Sequence, residues 1–363
     1  MMFIVMLAVM LGANGYVLYR VWQMIPAGSV LRPLWAVFVV AAVAAFFLGL
    51  ILSDKLPTGL GAVLYRVGTS WFFIMFYLLM IFLLLDLVRV TRLLPVAQYM
   101  FGSWTGLGVL AAVVAVIFTA GYVTYQNKKR VELAIEVPGN EWEKPLKIVA
   151  ASDLHLGYNV GKNEFSRWVE MINAENPDVV LFAGDVIDNT IRPLIEQDMA
   201  SVFRGIKATY GVFVAPGNHE YISGVEKAAD LLRSAGVTVL RDSVALVDGR
   251  LYIAGRDDRS NPRRKSVAGL LEPLDRSKPV VLLDHQPYHL EEAEQNGVTL
   301  QLSGHTHRGQ IWPINWITDA MYEVSYGYKR KGNSHFYVSS GLGLWGGKFR
   351  IGSRSEYVVI TLQ

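Results

Sequence analysis

The first 126 residues carry almost no charge, and that restricts their fold more than any other feature of this 363-residue chain. Only Arg20, Arg32, Lys55, Arg66, Arg89 and Arg92 are basic there, and only Asp54 and Asp86 are acidic. Four apolar segments fill the region, at about residues 3–18, 34–52, 70–87 and 106–125. A run of about 20 apolar residues crosses a hydrocarbon core. Backbone groups in lipid must bond within their own segment, so the four segments are expected to be helices. The breaks contain Pro26 with Gly28, Pro57 with Gly59 and Gly61, and Pro95, which punctuate helices. Tyr16, Tyr19, Trp22, Trp35, Trp71 and Trp104 stand near segment ends, where amphipathic rings favour the headgroup level. A cleaved leader fits the first segment poorly, because no basic residue precedes it and three further spans follow.

With four spans, both ends of the bundle lie on one side of the membrane. That side would carry Lys55, Arg66, Lys128, Lys129 and Arg130, and the other Arg20, Arg32, Arg89 and Arg92. Lys128-Lys129-Arg130 is the only cluster, so the positive-inside rule leans toward a cytoplasmic C-terminal domain in a multi-pass inner-membrane protein.

From Asn127 onward there are 28 basic and 29 acidic residues, the balance of an ordinary globular domain with no bulk attraction for nucleic acid. The chain has no cysteine, which excludes disulfides, zinc-thiolate sites, iron-sulfur clusters and a cysteine nucleophile. Any metal is therefore held by nitrogen and oxygen. Residues 127–146 form a linker in which 131–137 alternates apolar and polar like a strand, and a domain over 147–363 follows. Short apolar runs at 147–151, 178–182, 212–215, 238–240, 251–254, 280–283, 299–302, 336–339 and 357–361 read as strands. Helical stretches separate them, for example 163–174 with Phe165, Trp168, Val169 and Ile172 on one face. The mixture predicts sheets with helices outside.

Polar clusters end these runs: Asp153-Leu154-His155, Gly184-Asp185, Gly217-Asn218-His219-Glu220, Asp284-His285 and Gly304-His305-Thr306-His307. Five of the seven histidines lie in them. In open α/β sheets ligands collect beyond the carboxyl ends of strands, so the clusters are expected to converge. Asp153, His155, Asp185, Asn218, His285, His305 and His307 offer seven groups, and one bridging carboxylate makes the eight bonds that two adjacent ions need. Asp, neutral His and an Asn carbonyl suit borderline divalent ions such as Mn, Fe, Zn or Ni. Glycines before Asp185, Asn218 and His305 let the backbone turn each side chain inward.

The order Asp-x-His, Gly-Asp-x-x-Asp, Gly-Asn-His-Glu, His, Gly-His-Thr-His resembles the calcineurin-like metallophosphoesterase family over about residues 147–362. The ending Val338-Ser339-Ser340-Gly341-Leu342-Gly343, with Arg350-Ile351-Gly352 and Glu356, resembles its membrane-associated bacterial branch. The resemblance implies an α/β two-sheet sandwich behind the four-helix transmembrane bundle, and a binuclear centre with two divalent metal ions. Asp153, His155, Asp185 and His307 would hold one metal, and Asp185, Asn218, His285 and His305 the other, with Asp185 bridging. His219 would be the non-ligand histidine that contacts the phosphate and assists the leaving group, and Asp188 the second acid of Gly-Asp-x-x-Asp, supporting the ligands. Glu220, next in sequence, is placed to orient His219 or raise its pKa.

A basic segment at 256–265 offers Arg256, Arg259, Arg263, Arg264 and Lys265 to a substrate phosphate or headgroup, against the alternative of a solvated loop balanced by Asp257 and Asp258. Arg256 and Arg259 are the named substrate-binding candidates there, beside Asn218 and His219. His289 and His335 read as ordinary surface or packing residues. The expected partner is the lipid bilayer, with a lipid-linked phosphate as substrate. Two other functions fit the same residues: a sensor or scaffold whose phosphoesterase domain binds without turnover, and a hydrolase of a soluble nucleotide or phosphodiester.

Overall fold

The computed structural model describes residues 2–92, 94–137 and 142–363, the side chains of residues 2 and 3 excepted. The chain forms two compact units, Met1–Tyr122 with Gly346–Lys348, and Val123–Trp345 with Phe349–Gln363.

The first unit is built from α1 (Met2–Met24), α2 (Leu31–Ile51), α3 (Thr58–Thr91), α4 (Val96–Met100) and α5 (Trp104–Gln126). All but α4 are long and apolar enough to cross a membrane. At 1.5 Å per residue α3 is about 51 Å long, well over a hydrocarbon core of about 30 Å, so the apolar stretch at 70–87 is only its middle. Arg20 lies inside α1 rather than in a flanking loop, is buried, and pairs with Asp86 of α3, which also accepts from the Tyr16 hydroxyl. A charge at that depth is tolerated with such a partner. Trp71 Nε1 donates to Asn14 Oδ1 at 2.9 Å, a second polar link between α3 and α1.

The second unit contains β1 (Lys129–Ile135), β2 (Leu146–Ala151), β3 (Val179–Ala183), β4 (Val212–Ala215), β5 (Thr238–Val239), β6 (Ser243–Val247), β7 (Leu251–Gly255), β8 (Val280–Leu283), β9 (Leu300–Ser303), β10 (Gly327–Lys331), β11 (Ser334–Val338) and β12 (Glu356–Leu362). Its helices are α6 (Lys162–Ala174), α7 (Arg192–Glu196), α8 (Met199–Arg204), α9 (Asn218–Ser223), α10 (Val225–Ser234), α11 (Val267–Leu271), α12 (Leu290–Gln295) and α13 (Ile314–Met321). The strands form two six-stranded sheets, in the orders β1-β12-β2-β3-β4-β5 and β10-β11-β9-β8-β7-β6. Strand periodicity assigns the faces: Leu146, Ile148 and Ala150 of β2 join Leu283, Leu300 and Leu302 in the layer between the sheets. Val149 and Ala151 turn the other way, toward Phe165, Trp168 and Ile172 of α6. On the outside of the second sheet, Leu282 and Phe336 pack with Leu270 of α11 and Leu290 of α12. The domain is therefore a sandwich of two sheets with helices on both outer faces.

Part of the expected linker is sheet. β1 pairs in parallel with β12, from Lys129 opposite Glu356 to Ile135 opposite Leu362. Residues 138–141 of that linker lie outside the described residues. Tyr125, in the last turn of α5, belongs to the second unit, where it is fully buried and its hydroxyl donates to Glu164 Oε1 at 2.5 Å.

Candidate metal centre

β2, β3 and β4 are parallel neighbours in the first sheet, and β8 and β9 in the second. Their carboxyl ends deliver the five polar clusters to one place. Asp153, His155 and His307 form one group of donor atoms lying within 4.8 Å of one another, and Asp185, His285 and His305 form another. His307 Nε2 is 3.1 Å from His155 Nε2 and 3.4 Å from Asp153 Oδ1. Asp185 Oδ2 stands between the groups, 3.0 Å from His285 Nε2 and 3.9 Å from His155 Nε2. Asn218 Oδ1 joins the second group, 2.9 Å from His305 Nδ1. All seven residues expected as ligands are thus brought together.

The imidazoles are prepared for a cation. His285 Nδ1 donates to the Ala183 carbonyl at 2.8 Å, which leaves the lone pair of Nε2 aimed at the Asp185 carboxylate. Two acceptors facing each other at that distance repel unless a proton or a metal ion lies between them. Among the described residues, Nε2 of His285 and Nδ1 of His307 are indeed buried without a hydrogen-bond partner of suitable geometry. His155 Nδ1 donates to Asp188 Oδ1 at 3.2 Å, so its Nε2 also presents a lone pair to the centre. Without a metal, protons do the same work. Burial opposes charge on His285, but Asp185 and Asp153 outweigh it and hold its pKa well above the usual imidazole value. Burial likewise works against ionisation of Asp185, yet His285, His219 and His155 hold it well below the usual carboxylate range. Nitrogen and oxygen donors in this number fit two borderline divalent ions.

Local backbone conformation places these side chains. Asp153, His155, Asp185, His305 and His307 all have positive φ, between 47° and 70°, a region that few non-glycine residues occupy. Concentration of such residues at one point marks stored strain at a functional site. Of the three glycines expected to turn the chain, only Gly184 has positive φ. Gly217 and Gly304 serve a different need, close approach: a Cβ on either would lie 2.2 Å from a carboxylate oxygen, of Asp185 and Asp153 respectively.

Asp188 and Glu220 support the centre in different ways. Asp188 is buried, with Oδ1 3.2 Å from His155 Nδ1 and 3.3 Å from His219 Nδ1, so it fixes both rings. Burial raises its pKa, but the bonds from His155 and His219 prevail and hold it down at about 2. Of the two roles expected of Glu220, it does not orient His219, but its charge is among those that raise the His219 pKa. Its buried carboxylate accepts from the backbone N–H groups of Asp185, Ile187 and Gly217, at 3.0, 2.8 and 2.7 Å, and so ties the loop after β3 to the loop after β4. His219 takes its orientation from Asp188, and its ring meets that of His155 edge-on at 4.5 Å. Burial lowers the His219 pKa, but Asp188 and Asp185 more than compensate and raise it to about 9.

Arg256 is not available to a substrate. It is buried, donates to Asp284 Oδ2 at 3.1 Å and to the Lys265 carbonyl at 2.9 Å, and pairs with Glu292 at 3.0 Å. Arg264 joins it on Asp284 at 3.0 Å, so the basic segment is folded back on the acid next to His285. Arg259 is exposed and lies over the ring of Tyr288 at 4.0 Å. Tyr288 hydrogen-bonds Tyr322 at 3.0 Å between hydroxyls, and the Tyr322 ring is 6.4 Å from that of His305. Sequence reasoning missed this Tyr288–Tyr322 rim, because neither tyrosine stands in a motif. It also missed the role of Arg350, fully buried and donating to the carbonyls of His307, Ser340 and Gly343 at 2.9, 2.6 and 2.6 Å, which fastens the turn carrying His307.

A family model described as calcineurin-like phosphoesterase matches residues 146–309, the stretch that holds every one of these donors. A protein of Aquifex aeolicus named as an uncharacterized metallophosphoesterase is 32% identical over 225 residues, which cover 60% of this chain and 85% of that protein. The chain belongs to the calcineurin-like phosphoesterase family. An uncharacterized metallophosphoesterase of Helicobacter pylori (strain J99) is 34% identical over 226 residues, or 61% of this chain and 60% of its own. A Danio rerio protein named as a transmembrane protein with metallophosphoesterase domain is 33% identical over 275 residues, or 70% of this chain and 62% of its own. The chain thus spans about three fifths of the length of the Helicobacter and Danio relatives. Members of the calcineurin-like family use two divalent metals, and the two donor groups of this chain supply the matching set. The four apolar helices, with a transmembrane relative, make it a membrane protein.

Proposed function

We propose that this chain is a membrane-bound binuclear-metal phosphoesterase that hydrolyses a phosphodiester or pyrophosphate bond in a lipid or lipid-linked substrate. One observation carries the reading: Asp185 Oδ2 stands between His285 and His155, joining two complete donor groups with His219 beside them. A pair of divalent ions supplies a water of lowered pKa and neutralises charge on a phosphoryl group. The residues of the chain do the rest. Asp153, His155 and His307 would hold one ion, Asn218, His285 and His305 the other, and Asp185 both. His219, with Nδ1 fixed on Asp188, whose carboxylate favours the protonated ring, is placed to deliver a proton from Nε2 to the leaving oxygen. Asp188 holds that ring edge-on to His155, and Glu220 ties the two ligand loops together.

The lipid substrate is supported by tethering. Only Asn127 and Lys128 separate α5 from β1, so the domain stays within a few nanometres of a bilayer and meets headgroups at high local concentration. The Lys128-Lys129-Arg130 cluster favours a cytoplasmic position at the inner membrane. A scaffold that binds without turnover has no use for His219 beside a full donor set.

Full-length protein with Mn restored, assayed on phosphomonoesters, soluble phosphodiesters and phospholipid vesicles, tests the reading. The vesicle-borne diester or pyrophosphate is expected to be the best substrate. Preference for a free nucleotide would remove the lipid assignment, and binding of every class without hydrolysis would favour the scaffold.

A further inference from the structure

Helix α13 has no buried residue, and beside the exposed Asp319 it carries an apolar face. Trp312, just before it, is 39% exposed, Trp316 63%, Ile317 53% and Met321 60%. Single exposed apolar side chains are ordinary, whereas Trp316, Ile317 and Met321 together on one short helix form a patch that expects a partner. The two tryptophans meet edge to face with ring centroids 5.3 Å apart. The helix is also firmly based. Gly309 closes the turn that carries His307, and a Cβ there would lie 2.3 Å from the Asn315 backbone nitrogen, so that turn runs directly against the first turn of α13. Trp312 N donates to the Ile351 carbonyl at 2.6 Å. At the other end Met321 is followed at once by Tyr322, the residue that borders His305. The apolar face therefore lies between the turn that carries His307 and Tyr322.

We propose that α13 seats the catalytic domain in the bilayer interface, with Trp312, Trp316, Ile317 and Met321 among the headgroups and upper acyl chains, so that a lipid-borne phosphate reaches the site past Tyr322, Tyr288 and Arg259. Three observations select a bilayer as the occupant. Four candidate spans in the same chain guarantee one within tether reach. Tryptophan with aliphatic neighbours is the composition that settles at a membrane interface. Charge is complementary as well: Arg256 and Arg264 are paired with Asp284 and Glu292, while Arg259 is exposed and pairs with no carboxylate among the described residues. A cation stacked on Tyr288 at the rim suits an anionic headgroup. The delivery of substrate rests on the phosphoesterase reading, and the seating of the helix does not.

Because the chain has no cysteine, Ile317→Cys gives full-length protein a single attachment point for an environment-sensitive nitrobenzoxadiazole label. The labelled protein is reconstituted in phosphatidylcholine/phosphatidylglycerol vesicles, with Asp230→Cys on α10 as the solvent control. At residue 317 we expect blue-shifted emission, quenching by doxyl-labelled lipid and protection from iodide; at residue 230, the reverse. Iodide access at 317 equal to that at 230 would overturn the proposal. So would a label shielded from iodide but untouched by doxyl lipid, which would mean cover by protein such as a second copy of the chain. In the hydrolytic arm, Trp316→Ser with Ile317→Ser should lower the ratio of vesicle-borne to soluble phosphodiester turnover at least tenfold, and an unchanged ratio counts against it. Failure of the unsubstituted protein to cleave a soluble diester would defeat the phosphoesterase reading alone, since the label still reports where α13 lies.

Discussion

Asp185 and its neighbours show how single residues set the chemistry. The bridging carboxylate has Gly217 packed on one oxygen and a His285 lone pair on the other, so any added atom displaces it. Gly217→Ala is therefore expected to lower metal content to below two per chain and turnover by about a hundredfold or more, the scale on which misplaced catalytic groups act. Metal analysis and a chromogenic diester assay would show it. His219→Ala is a contrasting case: both ions should stay while turnover falls by about a hundredfold, as loss of a catalytic acid does. His219 also lies within 4.8 Å of His155 and Asp185 as a third donor group, so an emptied site in this variant would make it a ligand. The donors themselves were legible in the sequence, because each follows a hydrophobic strand and spacing alone marks it. Tyr322 and Tyr288 were not, since they come from two separate loops and meet only after folding.

At the level of elements, the strands that sequence reading passed over were β6 and β10, the two edges of the second sheet. Edge strands bury only part of their surface, and Gly-Tyr-Lys-Arg-Lys in β10 carries the charges that keep an edge from pairing further. Helix α13 escaped for the opposite reason: its apolar residues face outward, so no core-facing stripe announces it. The basic segment after β7 looked like a phosphate-binding loop because sequence shows charge but not partners. Removing Arg256 leaves Asp284 buried with Arg264 as its remaining cation, and loss of one partner of a buried pair costs about 3 kcal/mol. Arg256→Ala should accordingly lower the Tm by several degrees with KM for a soluble diester within twofold of the original. A raised KM at unchanged Tm would restore Arg256 to the substrate.

On the scale of the whole molecule, the boundary between membrane and globular parts runs through α5, not after it. Tyr125 is fully buried in the second unit and bonded to Glu164, although its position at the end of an apolar run gave no hint of that role. A fragment beginning at Val123 should therefore be more stable than one beginning at Asn127, by about 2 kcal/mol for a buried aromatic ring, measurable as a higher denaturation midpoint. Equal midpoints would mean that Tyr125 is packed there without holding the domain together.

The central claim is that two metal ions shared through Asp185 make this chain a phosphoesterase. The most direct test is a titration of chelator-stripped full-length protein with Mn, read together as bound metal and as hydrolysis of a chromogenic phosphodiester, for the natural chain and Asp185→Ala. The account predicts two ions per natural chain, activity that appears only as the second site fills, and neither paired binding nor hydrolysis in Asp185→Ala. Full activity with one ion, with none, or without the Asp185 carboxylate would contradict it.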